Sequence, residues 1–414
     1  MGLAPAVVLA LGVVCTTAPV RAQESGVAEA KEKAKATPAS AEAAVAYGRA
    51  LRRAGHDGEA LAELRRAKAF ARGDLATKVE WEIARTHIAR RDFRQAMATC
   101  RAMRAPGPSR VCAAEAHLLW RRGTEAMAEL GELAKTSDTS VDVRYFAKIA
   151  EGRARELETK DAEAEAAYAK AIDVAPDRAD ARALLGALRH RVGKDGVPEL
   201  RRAAEIDGRD PVVQLELGRA LATDPANLDA AIGAFERAVA ERPTYTDALR
   251  ALTEAYLAAK RIPDAKRTAE SVLRAAPNDV FAHVASGRVA LAENRLDDAL
   301  KEGETAFKLM PNEAKAKLLV ADAYTKKGEI DLALEAYQAA HGLDQGDPTP
   351  LLAAARACLE AGRPTSAKAF ATRATKDFPA HAPAWLALGD ALTADKDPDG
   401  ARAAYDKAKN LRTR

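Results

Sequence analysis

A unit of 34 residues recurs through the second half of this chain. Ala299, Ala306 and Pro311 return one period later as Ala333, Ala340 and a turn at Gln345-Gly346, then as Ala367, Ala374 and Pro379, then as Ala401 and Ala408. One period upstream the same frame holds Ala265, Val272 and Pro277. A further set stands twelve residues before each leading alanine: Thr253, Gly287, Ala321, Ala355 and Gly389. A fixed period of this length argues against one central core. Each unit is a single supersecondary element that cannot bury its own apolar face and must stack on its neighbours.

The residues inside the period point to helices. Hydrophobic residues make up 48% of the chain, aromatics only 5% and Asp, Glu, Lys and Arg together 30%, a blend suited to helix stacked on helix rather than to a barrel or sandwich. Leu185, Leu217, Leu252 and Leu388 recur on the first helix of their units with a spacing that holds them on one buried stripe. Pro176, Pro243, Pro277, Pro311 and Pro379 each follow a second helix and end it, since proline lacks an amide donor and biases its predecessor away from helix. Small residues at Gly48, Gly152, Gly186, Gly218 and Gly287 are expected to let the two helices of a unit approach closely.

With Trp385, Leu388 and Gly389 on a first helix and Ala401, Tyr405 and Ala408 on a second, residues 382–414 resemble the tetratricopeptide repeat, whose pattern is W-x2-L-G-x2-Y, then A-x3-F, then P. Tyr256, Tyr324 and Tyr337 fill aromatic places in earlier units. Continued upstream with small insertions and deletions, the pattern gives units near 41–74, 77–108, 109–138, 145–178, 179–210 and 211–245, about eleven in all and about nine tenths of the chain. It is weakest at 109–138, which is short, and at 179–210, where the first helix is expected to be clipped before Gly193. The resemblance implies an all-α, right-handed α-solenoid of about eleven tandem helix-turn-helix units. Divergent basic units are expected over 41–138, middle units over 145–245 and regular 34-residue units over 246–414. Ala401, Ala404, Tyr405, Ala408 and Leu411 on the last helix form a candidate docking or self-association surface, unless Lys407, Lys409, Arg412 and Arg414 keep that helix soluble alone.

The chain opens with a nearly unbroken apolar run from Leu3 to Val20, closing in Val20-Arg21-Ala22 with a small residue before the cut, so residues 1–22 read as a signal peptide. No Lys or Arg precedes that run, and Pro5 and Pro19 interrupt a core too short for a spanning helix. Cys15 follows Gly12-Val13-Val14, which lacks the pattern of a lipidation site. Residues 23–40, small and charged, read as a flexible linker or frayed helix. Cleavage after Ala22 would place Cys100, Cys112 and Cys358 in an oxidising compartment. Pro106-Gly107-Pro108 lies about midway between Cys100 and Cys112, so antiparallel helices on either side would set the two thiols opposite each other. A disulfide and a pair of buried free thiols both fit that arrangement, and Cys358 reads as a core residue.

A net charge of +4 gives no general drive toward nucleic acid or membrane. The charge is unevenly spread: residues 41–122 carry 17 Lys or Arg against 9 Asp or Glu, and residues 123–414 carry 43 against 48. A basic front end attracts an acidic partner, lipid phosphate or nucleic acid, or is simply a solvated Arg-rich surface. In the family that the chain resembles, the residue after each glycine place faces the concave groove. Here that place holds Arg49, Arg85, Glu115 and Arg153, then alternates in sign through Arg219, Glu254, Arg288, Asp322, Arg356 and Asp390. One reading is a ladder of ion pairs keeping adjacent first helices in register; the other is a patterned groove that grips an extended, mixed-charge peptide. Some relatives clamp a terminal carboxylate with Lys, Asn and Arg on neighbouring first helices. No such clamp assembles here, because Asn227, Asn278, Asn294, Asn312 and Asn410 fall near turns or on second helices.

Chemistry finds little support. His87 and His117 fall near Cys100 and Cys112, but Cys112 and His117 are five apart and point to different helix faces, so both histidines read as core and no metal is expected. HExxH, GxSxG, GxxxxGKS and GxGxxG are all missing from the sequence, and adjacent acids such as Asp297-Asp298 do not face each other on a helix. Trp81, Trp120 and Trp385 are too far apart for a base-stacking platform. No enzyme activity, cofactor, nucleic acid or small-molecule substrate is expected. The resemblance implies instead an exported, non-enzymatic scaffold that binds proteins in a bacterial cell envelope, in the periplasm or at the outer membrane. The alternative is a regulatory or delivery subunit of an envelope polysaccharide or peptidoglycan enzyme.

Overall fold

The computed structural model describes residues 26–136 and 140–412, and the signal segment expected over residues 1–22 lies outside them. Among the described residues the chain is built from helices, with no strand. A leading helix, α1 (Gly26–Ala36), precedes eleven helical hairpins. These are α2 (Ala41–Arg53) with α3 (Asp57–Phe70), α4 (Gly73–Ala89) with α5 (Phe93–Ala102), α6 (Pro106–Leu119) with α7 (Gly123–Leu133), and α8 (Val141–Leu157) with α9 (Asp161–Val174). Next come α10 (Ala179–Arg191) with α11 (Val197–Ile206), α12 (Pro211–Leu221) with α13 (Leu228–Glu241), and α14 (Thr246–Ala258) with α15 (Ile262–Ala275). The series ends with α16 (Val280–Ala292) and α17 (Leu296–Leu309), α18 (Ala314–Lys327) and α19 (Ile330–Leu343), α20 (Thr349–Glu360) and α21 (Pro364–Asp377), and α22 (Ala382–Ala394) and α23 (Pro398–Arg412). Packing runs from each helix to the next along the chain and between successive first helices, which makes the described residues an all-α solenoid of eleven units.

The repeated small residues explain the spacing. Ala265, Ala299, Ala333 and Ala367 are fully buried, as are Ala306, Ala340 and Ala374, so at these places the second helices meet their neighbours through methyl groups. On the first helices a β-carbon at Gly48 would lie 2.7 Å from Leu64 Cγ, and one at Gly218 would lie 2.5 Å from Phe235 Cδ1. The glycine hydrogen thus makes room for a large side chain on the second helix of the same unit. Gly287 departs from this expectation, because the space beside it is filled by Leu319 of the following unit.

Every hairpin but one turns through a single residue in the left-handed conformation. In the regular half these are Lys260, Asn294, Gly328, Gly362 and Lys396, with φ between 57° and 79° and the same 34-residue spacing as the alanines. The middle unit that breaks this rule, between α12 and α13, makes its turn with a short 3-10 segment at Pro225–Asn227 instead.

Three expectations are corrected. The stretch 23–40, read as a flexible linker or a frayed helix, is a packed helix over Gly26–Ala36, because Val27, Ala30 and Ala34 share one face that packs on Tyr47 and Leu51. In the unit at 179–210 the first helix is complete through Arg191, and the short element is α11, with 10 residues. On α23 the candidate docking alanines Ala401, Ala404 and Ala408 are buried, the first two packed with Leu392 of α22, which leaves Tyr405 as the exposed large apolar side chain of that set. No helix among the described residues is long and apolar enough to cross a membrane.

Candidate functional site

The groove place does not behave alike along the chain. In the front units it is filled by the protein's own carboxylates. Glu82 of α4 is 3% exposed and receives Arg49 Nε at 2.8 Å and an Arg52 terminal nitrogen at 3.2 Å, both from α2. Arg85, one turn further along α4, pairs with Glu115 of α6 at 2.6 Å. Its guanidinium also lies over the Phe146 ring at 3.9 Å and near Trp81, whose indole N–H donates to Glu115 at 2.8 Å. Burial alone would strip charge from Glu82, but Arg52, Arg49 and Arg85 prevail and hold its carboxyl down at about 2. Arg85 is likewise held above its ordinary range by Glu115 and Glu82 against the effect of burial. Arg49 and Arg85, expected as a basic stretch open to a partner, are therefore committed to ion pairs inside the chain. Arg153 is half-buried on α8, close enough to the phenol of Tyr168 to act on it electrostatically.

In the rear units the place is more open. Glu254 on α14 and Arg288 on α16 form the one inter-repeat pair, among the described residues, of the expected alternating ladder between adjacent first helices. Arg219 pairs instead within α12, with Glu216 at 2.7 Å. Asp322 accepts the Tyr337 hydroxyl at 2.7 Å and Asp390 accepts the Tyr405 hydroxyl at 2.8 Å, each from the second helix of its own unit. A tyrosine thus takes the share of the acid that the ladder reading gave to the neighbouring arginine. Arg356 is left with a loose contact to Glu360 at 3.9 Å, its side chain 73% exposed. Burial pushes the Glu254 and Asp322 carboxyls up, opposed by Arg288 and by Tyr337 and Arg356 respectively.

Two open hollows meet at this ladder. One, of about 660 Å³, is floored by Ala251, Ala255, Leu228 and Phe235; the other, of about 400 Å³, by Ala251, Val284, Ala285 and Phe281. Arg219, Glu254 and Arg288 border both. Small apolar floors between alternating charges can hold short side chains of an extended or helical segment while pairing its charged groups.

Cys100 of α5 and Cys112 of α6 are joined as a disulfide, with Cα atoms 5.4 Å apart. His117 packs on Phe93, and burial pushes both His117 and His87 toward the neutral form. No cluster of three or more His, Cys, Asp or Glu placed to hold a metal occurs among the described residues. Sequence reasoning missed Glu82, the place of Trp81 beside it, and with them Phe146 and Arg178, whose guanidinium lies over Tyr145 and Phe146. The available signal was a charged residue three positions before the Arg85 groove place, where an arginine of the preceding unit would meet it.

Family models described as tetratricopeptide repeat match residues 222–286, and residues 280–348 and 352–412. No curated protein matches the chain. Among solved structures, the chain is similar to yeast Tom70, at 13% identity over 90% of this chain and 92% of that one, with a TM-score of 0.49. It is also similar to TTC0263, a thermophilic tetratricopeptide-repeat protein of Thermus thermophilus, at 24% identity over 44% of this chain and 99% of that one, with a TM-score of 0.41.

Proposed function

Because the chain carries tetratricopeptide repeats between residues 222 and 412, we propose that it is a scaffold that binds protein partners in the groove of its rear units. The observation that carries this reading is the pair of apolar hollows bordered by Arg219, Glu254 and Arg288. The partner segment would bring small apolar side chains to the alanine floor and a carboxylate to Arg356. Chemical cross-linking of the tagged full-length protein in its native cells, followed by mass spectrometry, tests it: stoichiometric proteins cross-linked near α12 to α20 support the scaffold, and an absence of such partners removes it.

Arg356 and Arg288 separate binding from structure. Arg356→Ala removes an exposed charge with one loose neighbour, so it is expected to weaken capture of that partner by about fivefold, the limit of an exposed pair, at unchanged melting temperature. Arg288→Ala also strips Glu254 of its partner and is expected to lower both binding and melting temperature. Equal losses of both quantities in the two variants would make the groove charges purely structural.

We further propose that the scaffold is exported and works in a bacterial cell envelope. The apolar run before Ala22 and the Cys100–Cys112 pair support this, since disulfides persist in oxidising compartments. Protein unfolded without reductant straight from its native cells is expected to alkylate at Cys358 while Cys100 and Cys112 stay unlabelled. Labelling of all three, in cytosolic fractions that retain residues 1–22, would overturn the export reading.

A further inference from the structure

The surplus of positive charge in the front units has one location. Where the start of the solenoid returns to touch residues 207–241, closing the first six units into a loop, the cations are answered: Arg53 pairs with Asp207 at 2.6 Å, Arg209 with Glu29 at 2.7 Å, and the Gly26 amide donates to Glu241 at 3.3 Å. Lys68, Lys78 and Arg110 likewise hold Glu80, Asp142 and Glu129. Arg90, Arg91, Arg94, Arg121 and Arg122 are all exposed, and none of them is ion-paired with a carboxylate among the described residues.

These five arginines stand together. Arg90 and Arg91 lie in the turn between α4 and α5 with Arg94 just after it, and Arg121 and Arg122 lie in the turn between α6 and α7. The Phe93 ring joins the two turns, 4.9 Å from Trp120 and 5.7 Å from His117, with the Arg122 guanidinium over it at 5.2 Å. Three acids lie near. Asp92 gives its carboxylate to the Gln95 amide at 3.1 Å, as the cap of α5, and Asp57 is half-buried and shared among Arg242, Arg52 and Arg90. Glu125 is exposed and stands three residues after Arg122, as Asp264 and Asp298 stand after Arg261 and Arg295. Those two arginines hold their acids at 2.7 and 2.6 Å, whereas Arg122 lies over Phe93 instead. Other turns further along are neutralised too: Lys160 meets Glu158, Lys194 meets Glu165, Lys327 meets Asp297 and Arg363 meets Asp331. At the second and third hairpins, successive turn cations go unanswered.

We propose that the tips of the second and third hairpins form a membrane-contact surface, separate from the rear groove, that binds the phosphates of anionic lipid headgroups. A guanidinium matches phosphate with paired N–H donors and is weakly hydrated, so it gives up water readily to such a partner. Tips at one edge of a stack reach a flat layer of phosphates together. Between them the half-buried Trp120 and Phe93 supply aromatic rings, and tryptophan settles at headgroup depth. A protein segment would need a hollow for its side chains, and hairpin turns offer an edge. A nucleic-acid strand would need ring faces free to stack bases, whereas Phe93 is taken up by Trp120, His117 and Arg122.

The test mixes full-length protein with vesicles of phosphatidylcholine alone, or of phosphatidylcholine and phosphatidylglycerol in equal parts, and sediments them. The apolar run before Ala22, wherever it is retained, enters both kinds alike, so the difference between them is the reading. Arg91→Gly combined with Arg121→Gly removes two charges without strain, because both residues have a φ of 57°, which glycine adopts freely. At about fivefold per arginine near an anionic leaflet, this double variant is expected to bind the phosphatidylglycerol vesicles about twenty-fivefold more weakly, at a melting temperature no lower than native. Lys260→Gly combined with Lys396→Gly makes the same change at two rear turns, with φ of 57° and 62°, and should leave vesicle binding as it was. Equal binding to both kinds of vesicle, or equal losses in the two double variants, overturns the proposal. Tighter capture of a single-stranded oligonucleotide or of polyglutamate, lost in the arginine variant, overturns the choice of lipid. If that variant melts early, Arg94→Gln with Arg122→Gln gives the same comparison without touching a left-handed residue.

Discussion

Glu82→Ala is expected to cost about 3–5 kcal/mol of stability, seen as a fall in the urea midpoint at constant slope. Glu82 is 3% exposed, with Arg49 at 2.8 Å, Arg52 at 3.2 Å and Arg85 at 3.8 Å. Deleting Glu82 leaves Arg49 and Arg52 without their carboxylate and Arg85 with Glu115 alone, and that uncompensated charge is the source of the loss. Glu82→Gln keeps the shape and some hydrogen bonding but not the charge, so its loss should be smaller. The acid dependence has a definite sign. The folded carboxyl is held at about 2, below its ordinary 4.5, so its contribution is fully present above the ordinary value and is lost as pH falls toward 2. The gap in melting temperature between native chain and Glu82→Gln should therefore be widest above about pH 5 and close on acidification. A gap that stays constant with pH would mean that Glu82 acts by packing rather than by charge.

Gly196→Ala should be nearly as severe, at about 3 kcal/mol, the upper end for overpacking. A β-carbon at Gly196 would run into the Gly186 carbonyl oxygen and sit 2.9 Å from its carbonyl carbon and 3.1 Å from the His190 nitrogen. These are backbone atoms of α10, which cannot rotate away as a side chain can. The α10–α11 hairpin would have to spread, and with it the stacking of α12. Gly131→Ala supplies the control: that glycine is in α7 with nothing within 4 Å of its would-be β-carbon, so the same methyl should stabilise by about 0.5–1 kcal/mol through helix propensity. Thermal melts of the two variants, read against each other, separate a steric cost from a general intolerance of glycine loss.

The alanines and prolines made the helical hairpins legible because burial by a methyl and termination by proline are local properties, readable at a fixed spacing. The left-handed turn residues kept the same spacing but escaped notice, since Lys260, Asn294 and Lys396 share a backbone conformation and no chemistry with Gly328 and Gly362. The groove place was legible by analogy, yet the partners of its charges were not. Asp322 and Asp390 are met by tyrosines fifteen residues on, and Arg49 by Glu82 of the next unit, and such pairings depend on how far one helix is rotated against another. The contacts of Arg53 and Gly26 with residues 207–241 escape sequence reasoning altogether, because they arise from curvature summed over six units.

That closure divides the molecule by compliance. Where units touch only their neighbours, as from α14 to α23, small rotations at each interface add up, and the stack can lengthen or tighten like a spring. The front six units, joined end to side by Arg53, Glu29 and Gly26, cannot stretch without parting those contacts. A pull applied along the chain would therefore be taken up first in the rear units, where the groove beside Glu254 and Arg288 would change its width to suit what lies in it. The front would follow once its few exposed ion pairs part.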